Sequence, residues 1–386
     1  MRYLPKKFPR TIIAAIATLI GAGAVPAVAD AESHPAESGH AGYVYVNDNT
    51  AGQNTIAAFA RRADGTLSPV AGSPFAAGGA GTGSGLASQG AVQVSSDGRY
   101  VIAVDAGSNQ LAVLRVRPDG ALRLVDVVSS GGVQPVSVAE NDGLVYAANA
   151  GAGGSSYAGF ALNRGGHLTA LPGSDVSLPD NAQPGDVLFN STGTNLVGTL
   201  VGSSLIDSFR VGDDGRLTAA PGSPSTAPGP GPFGSEFRPT DPSQLFVSNA
   251  HGGAGNGTVS AFRVAEDGAL SSIGTSPFAD QQTAPCWVEI THDGQFLFTV
   301  NTASGSISRY SIADAGTLTL IGSTQVSSQS GVGAVDARLS DDGQTLYVNE
   351  SRVAAIGEFA VDGGQLTELG SVPLPAGATP AGVAVK

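Results

Sequence analysis

Short apolar runs recur throughout the sequence. They alternate with polar positions or are rich in β-branched residues, and turn-forming residues separate them. The stretch 285–324 shows the unit, with runs at Trp287–Ile290, Phe296–Val300, Ser306–Ile312 and Thr317–Ile321. Between them lie Asp293-Gly294, Asn301–Gly305 and Ala315-Gly316. Strand-length runs with hairpin-length gaps predict a four-stranded antiparallel meander, whose strands are named A to D in sequence order.

The same unit is written seven times. Its B strands read YVYVN (43–47), YVIAVD (100–105), LVYAAN (144–149), NLVGTL (195–200), LFVSN (245–249), FLFTVN (296–301) and TLYVN (345–349). A–B turns fall at Asp97-Gly98, Asp142-Gly143, Thr192-Gly193, Asp241-Pro242, Asp293-Gly294 and Asp342-Gly343. C–D turns fall at Asp64-Gly65, Asp119-Gly120, Gly165-Gly166, Asp214-Gly215, Asp267-Gly268, Ala315-Gly316 and Gly363-Gly364. These residue types accept the positive φ of tight hairpins. A repeat of about 50 residues overrides the expectation, from length alone, of two or three domains. One such sheet cannot bury both faces, so the units must stack, and closing the stack into a ring leaves no bare end.

The two termini fit a ring. Gly42–Asn47 is a B strand with no A strand before it, and 379–386 (TPAGVAVK) is an A strand with no B strand after it. The fold class expected is therefore all-β: a seven-bladed β-propeller spanning 42–386, closed by the C-terminal strand. The segments 72–90, 220–231 and 278–284, rich in Gly, Pro and Ser, are expected to be D–A loops on the same face as the B–C loops, the top.

The N-terminus reads as an address. Arg2, Lys6, Lys7 and Arg10 precede an apolar stretch, 11–25, and Pro26-Ala27-Val28-Ala29 offers a small-residue cleavage site. Residues 1–29 are thus expected to be a signal peptide. The apolar stretch is shorter than the roughly 20 residues of a membrane span, so a secreted, extracytoplasmic protein with no span after cleavage is expected. Residues 30–41 are small, polar and non-periodic, the composition of a disordered linker. Cleavage removes four of 19 basic residues against 32 acidic ones, taking the formal charge from −13 to −17. Such a balance argues against nucleic-acid partners. A single cysteine, Cys286, excludes an internal disulfide.

With the repeats in hand, a resemblance emerges. B strands ending Tyr45-Val46-Asn47 and Tyr347-Val348-Asn349, Asp-Gly turns before them, and L-[ST]-x-x-G-S after the C–D turn resemble the lactonase-type seven-bladed propellers. That family includes 6-phosphogluconolactonases and carboxymuconate cyclases. The resemblance implies a Gly-Pro-Arg-His motif on a mid-sequence A strand and Asn-Glu after the next B strand. Here the matching positions read Gly231-Pro232-Phe233-Gly234 and Asn249-Ala250. Phe233, Gly234 and Ala250 thus replace the Arg, His and Glu, and the family chemistry does not carry over there. Asn349-Glu350 occurs only on the last blade.

A strands line a propeller's channel, so their polar residues are the candidates for chemistry. Aligned at Phe189, Phe237, Ile290 and Leu339, the strands place Asp186, Glu236, Glu289, Asp336 and Arg338 on one parity, with Trp287 as an apolar wall. Converging carboxylates can supply an acid and a base, or bind a divalent cation. His251, in the loop 249–257, is a further candidate for contacting substrate. Cys286 reads as a buried structural thiol. Two functions stay open. One is an exported lactonase-like hydrolase or isomerase acting on a small lactone at the top of the channel, as a monomer. The other is a non-catalytic propeller of the cell envelope that binds a small-molecule ligand or a protein with its top loops.

Overall fold

The computed structural model describes residues 40–326 and 333–386. The expected signal peptide, 1–29, and all but the last two residues of the expected linker lie outside them. Among the described residues there are seven antiparallel sheets and no helix. Their innermost strands are Gly382–Val385, Val92–Val94, Pro135–Asn141, Pro184–Phe189, Pro232–Arg238, Pro285–Ile290 and Ala334–Leu339. Each touches the next in that order, and Ala334–Leu339 returns to Gly382–Val385. The ring is closed, and the protein is a seven-bladed β-propeller.

Both termini contribute to blade 1, as the repeat count required. Val44–Asn47 pairs with Gly382–Val385, and Tyr43 and Lys386 exchange backbone hydrogen bonds of 2.6 and 2.8 Å. Across the seam with blade 7, Arg61 pairs with Asp342, Leu67 N–H donates to Glu358 Oε1 at 2.8 Å, and Val383 N–H donates to Asp336 Oδ2 at 3.2 Å.

The repeat's signature residues act between blades. Tyr45, Tyr146 and Tyr347 donate to the carbonyls of Gly120, Gly215 and Gly65, in the C–D turns of the following blade, at 3.2, 2.8 and 2.8 Å. Asn47 Nδ2 likewise donates to Ala91 and Val104 carbonyls of blade 2. The close approach needs glycine: a Cβ on Gly120, whose φ is +77°, would sit 2.1 Å from the Tyr43 ring.

Three expectations need correction. In blades 1, 3, 4 and 5 the outer strand breaks and then resumes, as at Leu67–Pro69 and Phe75–Ala76. The segments expected to be D–A loops therefore contain strand: Phe75–Ala76, Ser225–Thr226 and Phe278–Ala279 pair with their C strands. At each break a serine hydroxyl stands in for the missing carbonyl: Ser73, Ser174, Ser223 and Ser276 accept C-strand N–H groups at 2.8–3.0 Å. Asp241-Pro242 opens the strand Asp241–Asn249 rather than preceding it, and the last B strand extends through Glu350.

Removing residues 379–386 strips Val44–Asn47 of its ladder partner and uncovers the inner edge of blade 1. The truncated protein should melt on the order of 10 °C lower and less cooperatively by calorimetry. An unchanged, equally sharp transition would contradict closure as the source of cooperativity.

Candidate functional site

Each of four adjacent innermost strands carries a register irregularity near its start, between Pro184 and Asp186, Pro232 and Ser235, Pro285 and Trp287, and Val335 and Ala337. Such a bulge re-aims side chains. Here it places carboxylates against neighbouring blades. Asp186 accepts from Ser137 Oγ (3.3 Å), Ser235 N–H (3.0 Å) and Ser235 Oγ (2.6 Å), joining blade 4 to blades 3 and 5. Asp336 accepts from Ala337 N–H (3.0 Å) and from Val383 N–H across the closure seam. Both are buried and act in ring assembly.

Glu236, Glu289 and Arg338 form a separate group at the A–B turn end of the channel. Arg338 Nη1 lies 3.1 Å from Glu289 Oε2 and 3.4 Å from Glu236 Oε2. Glu289 Oε1 also accepts Leu339 N–H at 2.9 Å. The three side chains line a cavity of about 250 Å³, together with Gln93, Ile290 and the rim residue His292. Among the described residues only Nη1 of the guanidinium is engaged, so its other N–H groups are available to a guest.

Electrostatics bind the five residues even where contacts do not. Burial pushes Asp186 and Asp336 up to about 7, against their hydrogen bonds and the charge of Arg338. Burial raises Glu236 to about 8; Arg338 opposes this, while Glu289 and Asp186 add to it. Glu289 is raised as well, again by burial. Burial works against the charge of Arg338, but Glu289, Glu236, Asp336 and Asp186 outweigh it and hold the guanidinium ionised.

The expected single site is thus divided. Trp287 shares the strand parity of Glu289 yet faces the other end of the channel: its Nε1–H donates to Ser88 O at 2.8 Å, and its ring meets Phe233 edge-on at 5.1 Å. There it lines a second, mostly apolar cavity of about 270 Å³ with Leu86, Phe233, Cys286, Val335 and Ala381. His251 lines neither cavity; it is exposed, packed over Gly231. The carboxylate group opens at the A–B turns, at the end of the channel opposite to the top, where these residues were expected to act. Consecutive bulges and blade fanning separate residues that strand parity alone groups together. Among the described residues no three His, Cys, Asp or Glu side chains are arranged to hold a metal ion. Cys286 is a structural thiol: Sγ–H donates to Ala284 O at 3.3 Å, and burial pushes it up to about 11.

A profile of the seven-bladed β-propeller lactonases matches residues 34–155 and 194–380. The chain belongs to this lactonase family. Among solved structures, a periplasmic gluconolactonase from Pseudomonas aeruginosa superposes with a TM-score of 0.70 at 18% identity, covering 89% of this protein and 98% of its own length. A Bacteroides fragilis protein provisionally named a 6-phosphogluconolactonase gives 0.71 at 20% identity, covering 91% and 99%. No functionally curated protein matches the sequence. Phe233 and Ala250, which stand where the resemblance implied Arg and Glu, are buried in one apolar cluster with Trp287 and Cys286.

One group escaped sequence reasoning because its motif sits on the last blade. Glu350 takes the B-strand position held by Asn301 in blade 6 and Asn249 in blade 5. Those asparagines bond to Ser306 and Ser308, and to Thr258 and Ser260. In blade 7 the facing residues are Ala355 and Gly357, so among the described residues both carboxyl oxygens of the buried Glu350 lack a partner. Burial, with Glu368 adding to it, raises Glu350 to about 7.

Carboxyls held above their ordinary range bind more protons folded than unfolded. The stability they lend is therefore complete at acid pH and is lost as pH rises from about 4 to about 8. Asp48, Asp105, Asp207 and Asp280, raised by burial to about 6 or 7, act in the same direction. Asp342 acts oppositely: burial works against it, yet Ser340 and Arg61 hold it at about 2, so its contribution fades only in strong acid. Denaturant unfolding should show greater stability at pH 5 than at pH 8. Asp336→Asn should narrow that gap by about 1 kcal/mol or more, since a tenfold difference in proton affinity corresponds to about 1.4 kcal/mol. Equal stability at the two pH values would contradict the protonated, buried carboxyls.

Proposed function

We propose that this propeller hydrolyses a small, uncharged lactone in the cavity at the A–B turn end of its channel, and that it does so as an exported protein. The observation that carries the reading is the Glu236–Arg338–Glu289 group over a cavity of about 250 Å³. Its parts match the steps of ring opening. Glu289, braced by Leu339 N–H and Arg338, takes a proton from water as the water oxygen attacks the acyl carbon. The free N–H groups of Arg338 receive the carbonyl oxygen as it gains charge. Glu236, kept protonated near neutrality by burial, gives its proton to the ring oxygen as the C–O bond breaks, leaving a hydroxy acid. Asp186 and Asp336 position the strands rather than touch substrate. A phosphosugar is a poor guest, because carboxylates outnumber the one cation that could hold its phosphate.

The apolar cavity at the opposite end supports a second reading. Trp287, Phe233 and Leu86 wall a space suited to a small apolar ligand, without the groups for hydrolysis, and His251 stands on the neighbouring loop surface.

A panel of simple lactones, followed by acid release, separates the two. Glu289→Gln and Glu236→Gln should each lower kcat/KM about 100-fold or more, in line with loss of a general acid or base. Trp287→Ala should leave hydrolysis within a few-fold of the parent. Full turnover by both Glu variants removes this site from consideration. Absence of turnover on every lactone, combined with ligand binding that Trp287→Ala abolishes, establishes the second reading instead.

A further inference from the structure

The acidic composition hides one place where cations gather. Arg115, Arg117, Arg123 and Lys386 line an open groove of about 480 Å³ on the face that carries the A–B and C–D turns. Lys386, the only lysine beyond the expected leader, reaches the groove from the end of the closing strand, while the arginines belong to the C–D hairpin of blade 2. Among the described residues none of the four forms an ion pair within the protein. Asp119, in the turn of the hairpin, accepts from Ala121 N–H with its Oδ1 at 3.2 Å.

The repeat supplies its own control. Arg115 occupies the penultimate C-strand position, as do Arg210 in blade 4 and Arg263 in blade 5. Across the strand pair, Arg210 faces Thr218 and Arg263 faces Ser271, and Arg263 is further paired with Asp241 at 3.0 Å. Arg115 instead faces Arg123 in direct register. Like charges opposite one another destabilise a strand pair, so this pair works against the fold and has no internal partner to offset it. No contact among the described residues offsets that repulsion.

We infer that the blade 2 groove binds a compact multivalent oxyanion, a phosphate or sulfate ester group. Arg115 and Arg123 offer paired N–H forks, and Arg117 and Lys386 add charge from the sides. The guest must be compact, because a longer polyanion would run onto the surface of a protein whose formal charge is −13. The site is distinct from the carboxylate cavity, and a guest held here does not depend on hydrolysis there.

Calorimetric titration of the purified protein at low ionic strength, with inorganic pyrophosphate and separately with inorganic sulfate, tests this. The parent should bind saturably, with affinity falling as salt rises. Arg115→Gln/Arg123→Gln should weaken binding at least tenfold while melting at the same or a higher temperature. Arg210→Gln, at the equivalent position of blade 4, should bind as the parent does. Preference for pyrophosphate assigns the guest as a phosphate ester, and preference for sulfate as a sulfate ester. No saturable binding of either anion, a double variant within twofold of the parent, or an equal loss in Arg210→Gln would overturn the inference.

Discussion

Closure of the ring is the constraint on which the remaining structure depends. A four-stranded sheet has two faces to cover, and only neighbouring blades can cover both. The last four-residue strand, Gly382–Val385, completes blade 1 and brings blade 7 against it. Once the circle is shut, every blade stands between two others, and side chains that would be exposed in a single hairpin become inter-blade links. Tyrosine hydroxyls reach the next blade's turns, and Asp186 and Asp336 accept neighbouring backbone N–H groups. These two buried carboxyls are thus paired with donors, which is the condition under which such groups are tolerated inside a protein.

The same convergence sets the chemistry of the channel. Innermost strands approach one another near the axis, so acidic groups on four of them share one field around Arg338. Burial raises their proton affinity and the arginine lowers it, and the balance leaves Glu236 protonated near neutral pH. The two ends of the channel then differ sharply. One offers two carboxyls and a guanidinium, the other a tryptophan, a phenylalanine and aliphatic side chains. Where the resemblance implied charge, this protein has apolar packing; its channel charge lies towards the opposite face.

Repetition makes departures from the pattern informative. In blades 3, 5 and 6 the B strand ends on an asparagine bonded to hydroxyl groups, whereas in blade 7 it ends on Glu350, which faces Ala355 and Gly357. An arginine opposite a small hydroxyl residue occurs in blades 4 and 5, and Arg115 opposite Arg123 is the exception. In each case the neighbouring repeats show what packing alone requires, so the odd residue can be judged against them.

Much of the architecture was determined by the sequence itself. Strand-length apolar runs, Asp-Gly turns and a B strand separated from its A strand by the full length of the repeats are local signals, and together they dictate seven blades and the closing strand. Strand parity also singled out Asp186, Glu236, Glu289, Asp336 and Arg338 as facing the channel. Parity says only which side of a strand a residue occupies. It does not say how deep along the axis the side chain lies or which blade it meets, and the bulges change both. Only the tertiary structure decided that Trp287 and Glu289, two residues apart, serve opposite ends, that Asp186 and Asp336 bond to neighbouring blades, and that Lys386 joins arginines more than 260 residues away in sequence. Those outcomes depend on contacts between distant segments, which no local pattern encodes.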